Sequence, residues 1–256
     1  MPLAFSTLGV PAMPLPELAR LAVATGYQGV ELRCAPGEPV AELPPATVRA
    51  TLADHGVTVL AIAGYAKIAQ PGPDGPVLAE ITRQIDLAAA VGAPYVRVFP
   101  GGRDDESPAV ARLSEVGRRA REAGVHVTVE THDSHPRGAD VARMLAAAAA
   151  PGVGAVWDIM HTWLADETPT ETVEALRPWP GYVQVKDIAG ATDRTPLPLG
   201  RGVLPLADCL RPLGPDTWVS WEYEWLWHQH APALPDLLAD GRDVIASHRD
   251  RRRRDE

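Results

Sequence analysis

The chain has 256 residues, 46% of them hydrophobic and 22% charged, and its 33 acidic against 24 basic side chains leave a formal charge of −9. That apolar fraction excludes a disordered chain. The acidic excess makes nucleic acid a poor partner, and no run approaches the ~20 apolar residues of a membrane span. Met1–Val10 has no basic segment ahead of its apolar residues, so a secretory leader is not expected. Two distant cysteines, Cys34 and Cys209, fit packing thiols in a reduced, cytoplasmic protein. The basic cluster Arg249–Arg254, broken by Asp250, reads as a solvated end.

In chain order, strands are expected at Leu3–Leu8, Gly29–Arg33, Val57–Ala63, Tyr95–Phe99, Val125–Thr131, Gly154–Ile159, Tyr182–Asp187 and Trp218–Tyr223. Helices are expected between them at 14–25, 44–55, 77–91, 107–123, 138–149, 169–177, 203–213 and 232–248. Pro16 opens the first helix and Gly26 stops it. Ser107-Pro108 opens the fourth, with Gly124 after its end. Strict β/α alternation implies a parallel sheet. Eight repeats in a chain of this length imply a single-domain (β/α)8 TIM barrel over residues 1–256, the usual size being roughly 250 residues. Neither G-x-G-x-x-G nor G-x-x-x-x-G-K-[ST] is present, which removes the usual dinucleotide and phosphate loops. The stretches 70–76 and 190–202 read as loops on the side where strands end.

In such a barrel the active site lies at the carboxyl ends of the strands. Residues i and i+2 of a strand share a face. Glu130 and His132 thus share a face at the end of strand five, Gln184 and Lys186 at strand seven, and Glu222 and Glu224 at strand eight, with Asp158 ending strand six. Glu31, Arg33, Tyr65 and Arg97 add polar groups to earlier strands. Charged residues are almost never fully buried unpaired. Four consecutive strands delivering Glu130, Asp158, Gln184 and Glu222 offer three carboxylates and an amide oxygen. That donor set suits one divalent ion (Mn2+, Mg2+ or Co2+) better than a structural zinc. The competing reading is an ion-pair network with Arg33, Arg97 and Lys186.

This pattern resembles the metal site of the xylose isomerase-like TIM barrel superfamily, whose usual form is Glu on strand five, Asp-x-x-His on strand six, His on strand seven and Glu on strand eight. Glu130, Asp158-x-x-His161 and Glu222 match in register; Gln184 stands where His is usual. Gly29–Leu32 and Pro198–Gly202 also resemble family segments. The superfamily includes ketose epimerases, hydroxypyruvate isomerases, inosose dehydratase, 3-dehydroshikimate dehydratases and endonuclease IV. Endonuclease IV needs a His-rich zinc cluster that this acidic chain lacks.

The resemblance implies proton abstraction α to a carbonyl that a metal ion polarises. An isomerase or epimerase of a sugar or cyclitol is the first expectation, with Glu130 and Glu222 as base and acid on opposite faces and His161 holding a substrate hydroxyl. A carbon–oxygen lyase is the alternative. There His132 would be the base, His161 or Lys186 would assist the leaving hydroxyl, and Arg97 would meet a substrate carboxylate. Tyr65, Glu224 and Trp225 complete the expected substrate contacts. All seven Trp residues follow position 150, and they suit packing, a subunit contact or a substrate wall. The expected partner is a small, unphosphorylated polyol, and a homo-oligomer is expected.

Overall fold

Eight parallel strands pair in chain order and close on themselves. They are β1 (Leu3–Ser6), β2 (Gly29–Arg33), β3 (Thr58–Lys67), β4 (Tyr95–Phe99), β5 (His126–Glu130), β6 (Val153–Asp158), β7 (Gly181–Val185) and β8 (Val219–Trp221). The closing seam sets Phe5 of β1 opposite Trp221 of β8. Among the described residues ten helices accompany them: α1 (Leu15–Thr25), α2 (Pro39–Glu42), α3 (Pro45–Ala53), α4 (Asp74–Val91), α5 (Ser107–Glu122), α6 (Gly138–Ala148), α7 (Ile159–Leu164), α8 (Pro169–Leu176), α9 (Leu206–Leu210) and α10 (Leu238–Asp255). The computed structural model describes residues 1–102 and 105–255, with side chains through His248. The fold is thus the expected TIM barrel. None of the described helices is long and apolar enough to cross a membrane.

The local rules behind these elements are visible in their ends. Proline sits in the first turn of α1, α3, α5 and α8, where its missing N–H costs nothing. Gly26 stops α1 in the left-handed conformation at φ 82°, its N–H returning to Ala22 and Val23. Thr168 and Glu171 form a reciprocal capping box at α8.

Several boundaries differ from expectation. The expected helix at 203–213 is only the single turn α9, and that at 232–248 is split between a 3-10 turn at Leu234–Asp236 and α10. Residues 74–76, expected in a loop, begin α4. Strand β3 runs on to Lys67. The backbone of α10 continues to Asp255, while the side chains of Arg249–Arg254 lie outside the described residues.

Side chains inside the barrel change character along its axis. Val156 and Tyr182 belong to a separate apolar cluster with Ala4, Leu60 and Ala61, flanked by Tyr95 and Trp218. Val156, Tyr182 and Tyr95 each precede by two residues, on the same strand face, Asp158, Gln184 and Arg97. Apolar side chains therefore plug the lower barrel, and the polar residues sit directly above the plug. Trp221 points the other way: it is fully buried, and a Cβ on Gly241 of α10 would come within 2.1 Å of its ring. Its role is barrel–helix packing. Both cysteines are free thiols, and burial pushes that of Cys209 up to about 12.

Candidate functional site

Glu31 and Arg97 sit midway along β2 and β4, Glu130 and Asp158 end β5 and β6, Gln184 is the penultimate residue of β7, and Lys186 and Glu222 directly follow β7 and β8. All seven are buried. Arg97 Nε lies 3.1 Å from Glu130 Oε2, and its Nη2 lies 4.0 Å from Glu222 Oε1. The guanidinium also covers the Phe99 ring at 4.0 Å. Lys186 Nζ gathers Asp158 Oδ2 at 2.7 Å, Glu224 Oε1 at 3.0 Å and Glu222 Oε2 in still closer contact. Arg33 is not part of this network; it pairs with Glu38 and donates to the Tyr65 hydroxyl at 2.7 Å. Nor does Lys186 pair with its neighbour Asp187, whose carboxylate is spent on backbone N–H groups.

The ionisation of the site follows from this packing. Burial raises Glu130 well above the usual carboxylate range; Arg97 opposes the shift while Glu222 and Asp158 add to it. Burial acts on Glu222 in the same sense, but Lys186 and Arg97 outweigh it and leave that group low. Burial would also lower Lys186, but Asp158, Glu222 and Glu224 hold the ammonium charged. His132 and His161 stack at 4.0 Å between ring centroids, with Phe99 on the far side of His132 at 4.5 Å. Burial lowers both histidines to about 4, assisted for His132 by His161 and for His161 by Lys186. Both imidazoles are therefore neutral at pH 7.

The donors fit a divalent cation. One oxygen each from Glu130, Asp158 and Glu222 lie within 4.8 Å of one another, and Glu130, His132 and His161 form an overlapping set. Gln184 Oε1 is buried with no hydrogen-bond partner, whereas Glu130 Oε2 meets Arg97 at 3.1 Å and Asp158 Oδ2 meets Lys186 at 2.7 Å. An unpartnered buried acceptor beside these carboxylates calls for an ion or water. Among the described residues, five carboxyl groups (Glu31, Glu130, Asp158, Glu222, Glu224) surround the two cations Arg97 and Lys186.

The remaining expected residues fall at different depths. Tyr65 is 40% exposed. Its ring lies 5.4 Å from the Arg33 guanidinium carbon and 5.7 Å from that of Arg97, so it borders the site. Glu224 reaches the site through Lys186. Trp225 opens a 3-10 turn after Glu224 and packs half-buried against the main core. Glu31 was visible as a polar strand residue but had no assigned role. It accepts from Gln184 Nε2 at 3.0 Å across 153 positions of sequence, and burial, reinforced by Glu222, pushes it up to about 7. Only barrel closure reveals that contact.

Residues 19–248 match the family pattern of the xylose isomerase-like TIM barrel, and the chain belongs to that family. No curated protein is significantly similar to it in sequence. Among solved structures, the probable 3-DHS dehydratase AsbF of Bacillus anthracis superposes with a TM-score of 0.83 at 17% identity, covering 96% of this chain and 99% of its own. An L-ribulose 3-epimerase does so with a TM-score of 0.83 at 17% identity, over 100% and 97% of the two chains. The IOLI protein with a bound zinc atom gives 0.82 at 16% identity, over 97% and 99%. At these identities the likeness is one of fold.

Proposed function

We propose that the chain is a divalent-metal-dependent enzyme that removes a proton α to the carbonyl of a small, unphosphorylated polyhydroxy compound and then expels a β-hydroxyl as water. The contrast between a neutral imidazole and a charged ammonium in one pocket carries this reading. His132 is neutral, with Nδ1 2.9 Å from Asp133 Oδ1 and its ring stacked on His161. The Lys186 ammonium, held among Asp158, Glu222 and Glu224, is the proton donor.

A cation held by Glu130, Asp158, Glu222 and the Gln184 carbonyl oxygen would polarise the substrate carbonyl and make the adjacent C–H more acidic. His132 then takes the α-proton, and the C–H electron pair forms the new C=C bond. The β C–O bond breaks, and its oxygen leaves as water with a proton from Lys186. His161, stacked beside His132, holds a substrate hydroxyl, and Arg97 and Tyr65 face the rest of the substrate. This puts a carbon–oxygen lyase ahead of the isomerase that the sequence pattern ranks first.

Isomerisation or epimerisation is the second reading. Glu130 and Glu222 are pushed in opposite directions, which suits one protonated and one ionised carboxyl on two substrate faces. It ranks second because Glu222 is engaged at both oxygens, by Gln184 at 3.2 Å and by Lys186. The named fold neighbours include both a probable dehydratase and an epimerase, so they favour neither.

Proton NMR in D2O of the Mg2+-loaded protein, with ketoses, inososes and 3-dehydroshikimate, tests the choice. A dehydrated product that Lys186→Met no longer forms supports the lyase. Deuterium at the α-carbon of a new stereoisomer or aldose establishes the isomerase instead. No exchange with any member argues against both for these substrate classes.

A further inference from the structure

Gln184 departs from the family's usual histidine, and its surroundings show how an amide is fitted to the place. Its Nε2 donates to Glu31 Oε1 at 3.0 Å and to Glu222 Oε1 at 3.2 Å. A primary amide has two N–H donors and one carbonyl oxygen. Both donors are therefore spent on carboxylates, and the carbonyl Oε1 is left buried without a partner. Turning the amide over would set its oxygen against the ionised Glu222 carboxylate and aim its N–H groups where Oε1 now points. Glu31 is completely buried on β2, and neither of its neighbours on that strand reaches Gln184 by a hydrogen bond among the described contacts.

We infer that Glu31 is a positioning residue: it fixes the Gln184 amide so that the carbonyl oxygen, not the NH2 group, is presented to the cation. The inference rests on the metal-dependent reading above. A glutamine ligand must present its carbonyl oxygen, because the wrong rotamer presents donors that repel a cation. Glu222 belongs to the proposed ligand set itself; Glu31 takes up one N–H from outside that set. Groups that orient metal ligands typically affect affinity by about 10- to 100-fold.

A double-mutant cycle read by Mn2+ binding, with free Mn2+ followed by EPR, tests this without any substrate. The four proteins are the wild type, Glu31→Gln, Gln184→Ala and the double variant. Glu31→Gln keeps the shape but can point either an oxygen or an NH2 group at Gln184. The expected result is a loss of about tenfold or more in affinity for Glu31→Gln, and no further loss when it is added to Gln184→Ala. Losses that multiply would assign Glu31 a general charge effect and overturn the inference. Wild-type-like affinity in Glu31→Gln would also overturn it. If the wild type binds no Mn2+, the metal-dependent reading falls, and this inference falls with it. If the wild type binds and only the cycle fails, the reading stands alone. Thermal melts of all four confirm folding. Should Glu31→Gln fail to fold, Glu31→Asp replaces it, since withdrawing the carboxylate by one methylene breaks the same contact.

Discussion

Asp187 and Gly202 are locked together: Asp187 Oδ2 accepts the Gly202 N–H at 2.9 Å, and a Cβ on Gly202 would lie 2.2 Å from Asp187 Oδ1. The same carboxylate accepts from Ile188, Gly200 and Leu204. One buried anion thereby folds the long connection after β7 back onto the strand end, beside Lys186. Asp187→Asn replaces one acceptor with a donor facing N–H groups. It is expected to cost about 2–4 kcal/mol, measured as a lower urea midpoint. Gly202→Ala is expected to destabilise as well, through the clash.

Metal binding should be separable from folding at Asp158. Its Oδ1 accepts the N–H groups of Met160 and His161 and caps α7, and asparagine is an equally good cap. Mn2+ at a hundredfold excess over its dissociation constant is expected to stabilise the wild type by about 2.7 kcal/mol. Asp158→Asn should fold and lose most of that gain. Differential scanning fluorimetry with and without Mn2+ distinguishes the two.

The pH response of the metal-free protein should carry the signature of His161. Its pKa is about 4 in the folded protein against 6.5 as a free side chain. The unfolded chain thus binds the extra proton first as pH falls, so this group's contribution to stability is full above pH 6.5 and is lost toward pH 4. His161→Asn, compared with the wild type in urea melts from pH 7.5 to 4.5, should lose less stability on acidification. An identical slope would contradict the assignment.

Arg112 holds the connection between β3 and α4 from the neighbouring helix. Its buried guanidinium donates to the carbonyls of Ile68, Gln70 and Gly72 and to Asp74. Arg112→Ala is expected to cost on the order of 3 kcal/mol, since it strands a buried carbonyl as well as removing charge-assisted bonds. Limited proteolysis should then cut first within residues 69–74.

The barrel was legible because alternation and Pro/Gly punctuation are local signals. Strands β2 and β4 fall on their expected limits. Helix α7 was missed although its cap, Asp158, is a recognisable start signal; the segment looked like a strand end because Asp158 ends β6 as well. Helix α2 is a single turn and carries too little periodicity to read. Within the site, period-two alternation brought Glu130, Asp158, Gln184 and Glu222 to one end of the barrel. It could not say that Lys186 reaches three carboxylates while Arg33 turns away to Glu38. Such pairings depend on which strands become neighbours across a closed ring, and no window along the chain contains them.

Asp158 has a consequence that reaches beyond stability. One of its oxygens sets the first turn of the helix that carries His161, and the other faces the Lys186 ammonium and the proposed cation. Rotating that carboxylate even slightly to meet an ion of another radius would turn the start of α7 with it. Ion size would then be transmitted to the imidazole as a change of aim, so exchanging Mg2+ for a larger ion should alter which hydroxyl of a substrate is grasped as well as how fast it reacts.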